Sequence, residues 1–592
     1  MRHFVPTVLI ALLLCRFLGA AESVPVMYRY AVVASSEAYS MPEWKLVVDS
    51  LVRKHSSQGE AGLFTWNRSV TELNDDLGNF RPDYIGFVAR PVSECNSAFI
   101  VAVSRLCRKL DGDPYVDAIW GIITGYEPSD ALRAISESLE VKTVVSASGN
   151  LLYEPPIERY YQAIGMTCDS YTKTDYLFAK SGGKVHTEEQ RPDNETDRIK
   201  TIASWLNEPG LDITISGKGR IGDPVDCIIT GGHGNVNLWQ CHYPDAGREG
   251  YMRSSEGVLY GAPYSGSAIA INAPTPKIYW CASNCLMGNP DNKNNIVYAA
   301  FHSGHAVQMF GFVNNASAGD EFMAWGTYDR VTKCAGRVTL PQGFFLSQNN
   351  AIFECLNPSG LINTGSVKIY MDSTVLYGDP AGDVHFYNTG ETAHAYTTAC
   401  TFVKNSNTGA TEFTYSFTMN AHDLEYGEGY VYQFRPLHLL PVHIDTGSVV
   451  IKSNDGGKAV FADNMLIWEM LGKGETLKRG KTKKLTWTAT CLDNATGIYK
   501  YYTREKSISE KPKPIIFYHP VKGIQFINLS NNAVSYCITD VCGAVCQKGR
   551  HTSTSSTGII SAPILPILSP GIYIVKIVHN GIKSGSRFVV CR

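Results

Sequence analysis

The chain lacks a charge excess, a long apolar run beyond its first residues, and an internal repeat. Its formal net charge is -2 over 592 residues. A balance so near neutral gives no strong pull towards nucleic acid or an anionic membrane surface, so no nucleic acid partner is expected. A bilayer-spanning helix needs about 20 apolar residues. No segment after the first residues meets that, and the mature chain is expected to hold no transmembrane segment. The missing repeat sets aside solenoids and propellers, and residues 552–557 (TSTSST) are only a short loop. Charged residues are also scarce, at 18%, while aromatics reach 11%, with 53 Gly and 32 Tyr. That is the composition of folded, sheet-rich material and not of a disordered chain.

The first residues read as an export signal. Arg2 and His3 precede an apolar stretch, residues 4–14, and Leu18-Gly19-Ala20-Ala21 offers small residues for cleavage. Residues 1–21 are therefore assigned to a signal peptide, since the run is too short for an anchor. Bulky Leu12-Leu13-Leu14 argue against lipid attachment at Cys15. The expected location is secreted or at the cell surface. Export changes how the 16 cysteines are read. Loss of Cys15 leaves an odd number, and an oxidising compartment pairs thiols. One free catalytic thiol among structural disulfides fits that count.

Residues 22–165 read as a first α/β subdomain. Strand candidates at 28–35, 84–89 and 118–124 alternate with helical spacing at 43–54 (Trp44, Leu46, Val47, Leu51, Val52) and 96–109. Pro128-Ser129-Asp130 opens a further helix, with Ser129 or Asp130 as its cap. Residues 166–385 continue the pattern, with helices at 197–207, 294–302 and 344–355 and a strand at 306–313. Strands alternating with helices predict a parallel sheet. From 386 to 508 polar and apolar residues alternate, which predicts an antiparallel, Ig-like β-sandwich. Residues 503–514 (TREKSISEKPKP) read as a linker, and 515–592 as a small β domain.

Two segments carry the chemistry. Residues 224–234 (PVDCIITGGHG) and 277–288 (KIYWCASNCLMG) are apolar runs that stop at His233 and at Cys285, each with Gly close behind. Runs of this kind suit buried parallel strands, and open α/β sheets place their chemistry just beyond the carboxyl ends of the strands. Two such strands side by side would bring an imidazole and a thiol to one edge: a nucleophile and its base. Cys281 is the rival nucleophile, but it lies inside the apolar run, where thiols are inert. Metal binding is the other reading, with His233, Cys241, His242, Cys281, Cys285, His302 and His305 as ligands. Their spacing is a loose version of a zinc pattern, and both late histidines fall at a helix–strand connection. No metal site is assigned, and no loop matches an EF-hand.

On His233-Gly234 and on Ser283-Asn284-Cys285-Leu286-Met287-Gly288, the chain resembles the gingipain-type cysteine peptidases, and more widely the caspase–legumain group. The order and roles match, although Ser283-Asn284 departs from the family's usual residues before the nucleophile. The resemblance spans residues 27–385, including VLYGDPA at 375–381. It implies a caspase-like parallel sheet flanked by helices in two subdomains. It implies a thiol protease acting on protein or peptide substrates, with Cys285 as nucleophile, His233 as base, and the backbone N–H groups of Gly234 and Cys285 as oxyanion donors. An acidic residue orients the imidazole in this family. Asp130 is the first choice here and Glu127 the second. The primary pocket would draw on residues 313–329, with Asp320, Glu321 and Trp325, and an acid there favours a basic substrate residue. No cofactor is required; calcium is implied by the family alone. The final block, PGIYIVKI followed by SRFVV, resembles the C-terminal sorting domain of type IX secretion cargo, which implies the secretion machinery as a partner. A sortase-like transpeptidase on the same scaffold, and a non-catalytic adhesion protein, stay open alongside the peptidase.

Overall fold

The computed structural model describes residues 28–148, 162–169, 174–181, 184–190, 198–210, 213–215, 219–240, 250–282, 284–316, 321–333, 338–361, 364–386, 396–404, 409–427, 435–440, 442–492, 515–519, 523–527, 534–540, 545–551, 560–562, 571–579 and 582–590. The signal peptide assigned to residues 1–21 lies outside them. The chain divides into two units, residues 1–503 and residues 504–592. The larger is mixed α/β, with one large, mostly parallel sheet and several antiparallel ones.

Strand β1 (Arg29–Ser35) is buried over its last six residues, and Ser35 ends it by accepting the Ala38 N–H. Helix α1 (Pro42–Ser56) starts on Pro42, where a missing N–H costs nothing. It buries Trp44, Val47, Val48 and Leu51, while Leu46 is exposed, one position off the expected stripe. Then follow β2 (Glu60–Trp66), β3 (Tyr84–Val88), α2 (Ser97–Leu106), β4 (Ile119–Ile123) and α3 (Pro128–Ser136). The cap of α3 is Glu127, not Ser129; Asp130 reaches back to accept the Glu127 N–H at 2.9 Å.

The remaining strands of the sheet are β5 (Thr143–Ser148), β6 (Gln162–Asp169), β7 (Thr174–Ser181), β8 (Lys184–Gln190), β9 (Cys227–Thr230), β10 (Lys277–Cys281), β11 (Ala306–Phe312) and β12 (Thr374–Tyr377). Helices α4 (Ile296–His302) and α5 (Leu340–Leu356) fall among them. The strand order is β2-β1-β3-β4-β12-β11-β10-β9-β5-β6-β7-β8. Neighbours from β2 to β12 are parallel, and so are those from β11 to β6. The joint between β12 and β11 is antiparallel, so the two parallel halves run in opposite senses. Because β5 pairs with β9 and β6 with β5, the expected subdomain boundary after residue 165 falls inside a strand of the second half. The halves divide before β5.

The joint is tight. A Cβ on Gly378, the residue after β12, would stand 2.4 Å from the Val307 carbonyl oxygen, and Gly378 has φ +111°. Only glycine fits that approach without strain. Next to it, Asp379 is buried and accepts from Tyr30 Oη at 2.9 Å and Lys54 Nζ at 2.8 Å, with His55 Nε2 at 3.0 Å. Burial alone would raise its carboxyl. The bonds to His55 and Lys54 outweigh burial and hold it well below the usual carboxylate range.

Residues 396–492 form a four-stranded antiparallel sheet (Tyr396–Lys404, Thr411–Met419, Thr482–Cys491, Ile444–Asn454) and a three-stranded one (Leu437–Leu439, Met465–Trp468, Ala459–Phe461). Burial alternates along Thr411–Met419, as a half-buried strand requires. Charged groups fasten this part to the α/β sheet. Arg435 and Glu354 are both fully buried and lie 2.9 Å apart, and Arg435 Nε donates to Asn350 Oδ1. The buried His443 ring lies between Asp463 at 2.7 Å and Asp83 at 3.1 Å. The second unit holds a three-stranded and a four-stranded antiparallel sheet within residues 515–590. Among the described residues no helix is long and apolar enough to cross a membrane.

Cys95, Cys107, Cys227, Cys281, Cys285, Cys355, Cys400 and Cys491 are free thiols. The expectation of one free thiol among disulfides does not hold for these. Five of them are buried and pack as small apolar residues.

The His443 clasp gives a pH prediction. Burial would lower its pKa, but the bonds to Asp463 and Asp83 prevail and push it up to about 10. An unfolded histidine titrates near ~6.5. The clasp's contribution is therefore full below about pH 6.5 and is lost as pH rises through about 10. His443→Ala leaves two carboxylates facing each other and should cost about 3–5 kcal/mol near neutrality. Denaturant unfolding of both proteins from pH 6 to 11 checks this. The gap should close at the alkaline end, and a constant gap would refute the clasp.

Candidate functional site

The site is built where β9 and β10 end. These two strands are adjacent and parallel, with Cys227 beside Ile278 and Thr230 beside Cys281. Pairing runs one step further, through Ala282 N–H to the Thr230 carbonyl at 2.9 Å. His233 follows β9 by three residues and Cys285 follows β10 by four, so both loops leave the same edge. His233 is exposed and Cys285 half-buried.

The two loops meet through main-chain atoms. A Cβ on Gly234 would stand 2.6 Å from the Cys285 carbonyl oxygen and 3.1 Å from the Asn284 Cβ. Gly234 also begins a short ladder with the strand Leu238–Gln240, opposite Trp239. In that ladder Gln240 N–H bonds the His233 carbonyl at 3.0 Å. An antiparallel ladder alternates, so the Gly234 N–H points away from Leu238–Gln240.

Beyond Cys285 the chain turns back along β11. Leu286 N–H bonds the Asn314 carbonyl and Gly288 N–H the Phe312 carbonyl, at 3.0 and 2.9 Å. Leu286 has φ +59°, a left-handed conformation that bulky side chains rarely adopt. The Cys285 sulfur accepts the Ala316 N–H at 3.2 Å. The same thiol can donate to the Ala316 carbonyl at 3.5 Å. Cys281 contrasts with it. It is 1% exposed, and burial pushes its thiol up to about 12, although the Thr230 hydroxyl works the other way.

The expected third residue is not at this edge. Asp130 accepts at its two oxygens from the His302 ring, at 3.0 and 3.1 Å, and it is buried against α4. Glu127 is the cap of the same helix. The cause is the antiparallel joint between β12 and β11. The loop after β4 opens at the end of the sheet opposite to the ends of β9 and β10. Asp130 and Glu127 therefore belong to a helix cap and an ion pair, not to His233.

The other sequence-predicted residues are scattered. Asp320 lies outside the described residues. Glu321 and Trp325 fall on the helix Glu321–Lys333, which begins shortly after Ala316. Of the zinc ligands considered, His302 is held by Asp130, and His305 contacts the Ala273 carbonyl at 3.1 Å and Glu137 at 3.0 Å. Cys241 and His242 are outside the description.

Two features were missed. Asn284 is fully buried between the two loops; its place one residue before the thiol was the available signal. Asp111, Asp113 and Asp117 bring carboxylate oxygens within 4.8 Å of one another and could hold a cation. Burial first, and then Asp111, pushes Asp117 up to about 9; burial above all pushes Asp113 to about 6. The D-G-D-P-Y-V-D run at 111–117 was the signal, read over because it does not match an EF-hand.

No protein-family model matches the chain, and no curated protein does. Among solved structures, a stretch is similar to PorZ, described as an essential bacterial surface component of the type-IX secretion system of Porphyromonas gingivalis. Identity is 17%, over 24% of this chain and 16% of that one, with a TM-score of 0.12. A likeness that small carries no argument about fold or activity.

Proposed function

We propose that the chain is an exported cysteine endopeptidase with a caspase-like arrangement of its catalytic edge, in which Cys285 is the nucleophile and His233 its base. One observation carries this reading: the His233-Gly234 loop and the Cys285 loop leave adjacent parallel strands at one edge and touch through backbone. Two further facts support it. Cys285 is half-exposed and carries a backbone donor on its sulfur, whereas Cys281 is buried with a raised pKa.

In the reaction His233 takes the thiol proton and the sulfur attacks the peptide carbonyl carbon, forming a C–S bond. The N–H groups of Gly234 and Cys285 would face the oxyanion. Collapse breaks the C–N bond, and His233 returns the proton to the leaving amine. Water, losing a proton to His233, then cleaves the thioester and regenerates the thiol. No orienting acid is assigned. The exported location rests on the N-terminal signal and on the likeness of residues 515–592 to a sorting domain. A preference for a basic substrate residue rests on Asp320 and Glu321.

Labelling of the full chain with a thiol-reactive peptide probe tests the assignment. Wild type and Cys281→Ala should label, and Cys285→Ala should not. His233→Ala should label about 100-fold more slowly at pH 7. Persistent labelling of Cys285→Ala would overturn the assignment. Products formed with and without an added amine then separate hydrolysis from transpeptidation; transfer without hydrolysis would replace the peptidase reading. The backbone contact is tested by Gly234→Ala. The added methyl should push the loops apart and slow labelling about 100-fold with a cooperative unfolding transition retained. Wild-type labelling in that variant would mean the contact is not what sets the site.

A further inference from the structure

The loops carrying His233 and Cys285 are bridged by one side chain that the proposed chemistry leaves unused. Asn284 is fully buried. Its Oδ1 accepts from Thr230 Oγ1 at 2.6 Å, on the last residue of β9. Its Nδ2 donates to the Gly232 carbonyl at 3.0 Å and lies 3.5 Å from the His233 carbonyl. A carbonyl only accepts, so the amide has one orientation here: nitrogen to Gly232, oxygen to Thr230. The side chain thus fastens β10's loop both to the end of β9 and to the turn that presents the imidazole.

We propose that Asn284 is a positioning residue for the site. By holding the Gly232-His233 main chain against the residue that precedes the thiol, it sets where the imidazole stands relative to sulfur. This rests on the reading of His233 and Cys285 as base and nucleophile. The imidazole is carried by the main chain that directly follows Gly232, so moving that main chain moves the ring. The backbone at Gly232 is fixed by a buried amide whose other end is already tied. An apolar side chain of similar size would fill the space but leave the Gly232 carbonyl without this donor. Thr230 is the second member of the same device.

The test uses the full chain and follows alkylation of Cys285 by iodoacetamide from pH 5 to 9, located by peptide mapping, together with kcat and KM on a peptide substrate. Asn284→Ala should shift the alkylation profile towards that of His233→Ala and slow the reaction at pH 7 by about 10- to 100-fold. The substrate loss should fall on kcat more than on KM. Thr230→Val should move the profile the same way by less, and Thr230→Ser, which keeps the hydroxyl, should restore it. In the double variant Asn284→Ala/His233→Ala the losses should not add, because the first acts through the second. An unchanged profile in Asn284→Ala, with His233→Ala still shifted, overturns the positioning role and leaves the base–nucleophile reading standing. Additive losses also overturn it. An unshifted profile in His233→Ala defeats the underlying reading, and this proposal with it. If Asn284→Ala does not fold, Thr230→Val decides: a wild-type profile there refutes the device.

Discussion

The antiparallel joint between β12 and β11 is the constraint on which the rest of the structure depends. It closes two parallel sheets into one while reversing their sense. Each half must then present its strand ends at opposite edges. One edge carries the His233 and Cys285 loops. The other collects the cap of α3, the Asp130–His302 pair and the Glu137–His305 pair. The reversal needs close main-chain approach at Gly378, and it needs the buried Asp379 beside it, which draws Tyr30, Lys54 and His55 inward. A short strand of four residues thereby decides which titratable groups can ever meet.

Much of this was legible in the sequence, and the limits have physical causes. Apolar runs and helical spacing located β1, α1, β4 and β11 to within a residue or two, because burial leaves a periodic trace. The adjacency of β9 and β10 followed from two matching strand ends. The sense of β12 did not, because the run VLYG pairs equally well with a parallel or an antiparallel neighbour. Asp130, chosen on the resemblance, therefore falls at the opposite end of the sheet from His233. The boundary after residue 165 falls inside β6 for a related reason: nothing in β5 announces that its partner β9 lies some eighty residues onward. Asn284 was visible but unreadable, since a polar residue next to a thiol does not say what it bonds. The cysteines misled through counting; parity constrains a total and is blind to where each thiol sits.

Buried charged groups also stand where the sandwich meets the α/β sheet. Arg435 with Glu354, and His443 with Asp83 and Asp463, link residues far apart in the chain. Such pairs gain little over well-packed apolar contacts but cost much when half is removed. The larger apolar core runs continuously from one part to the other, while α1 packs over the other face of β1 in a separate core.

The contact of Gly234 with the Cys285 carbonyl has an evolutionary consequence. Spacing at the edge is set by atoms that every residue possesses, with one amide and one hydroxyl as the side chains bridging the seam. Side chains on the outer faces of both loops are thereby released from any part in maintaining that spacing. They can change while the interval between the two strand ends stays as it is. Side-chain chemistry and backbone spacing are, at this edge, set by different atoms.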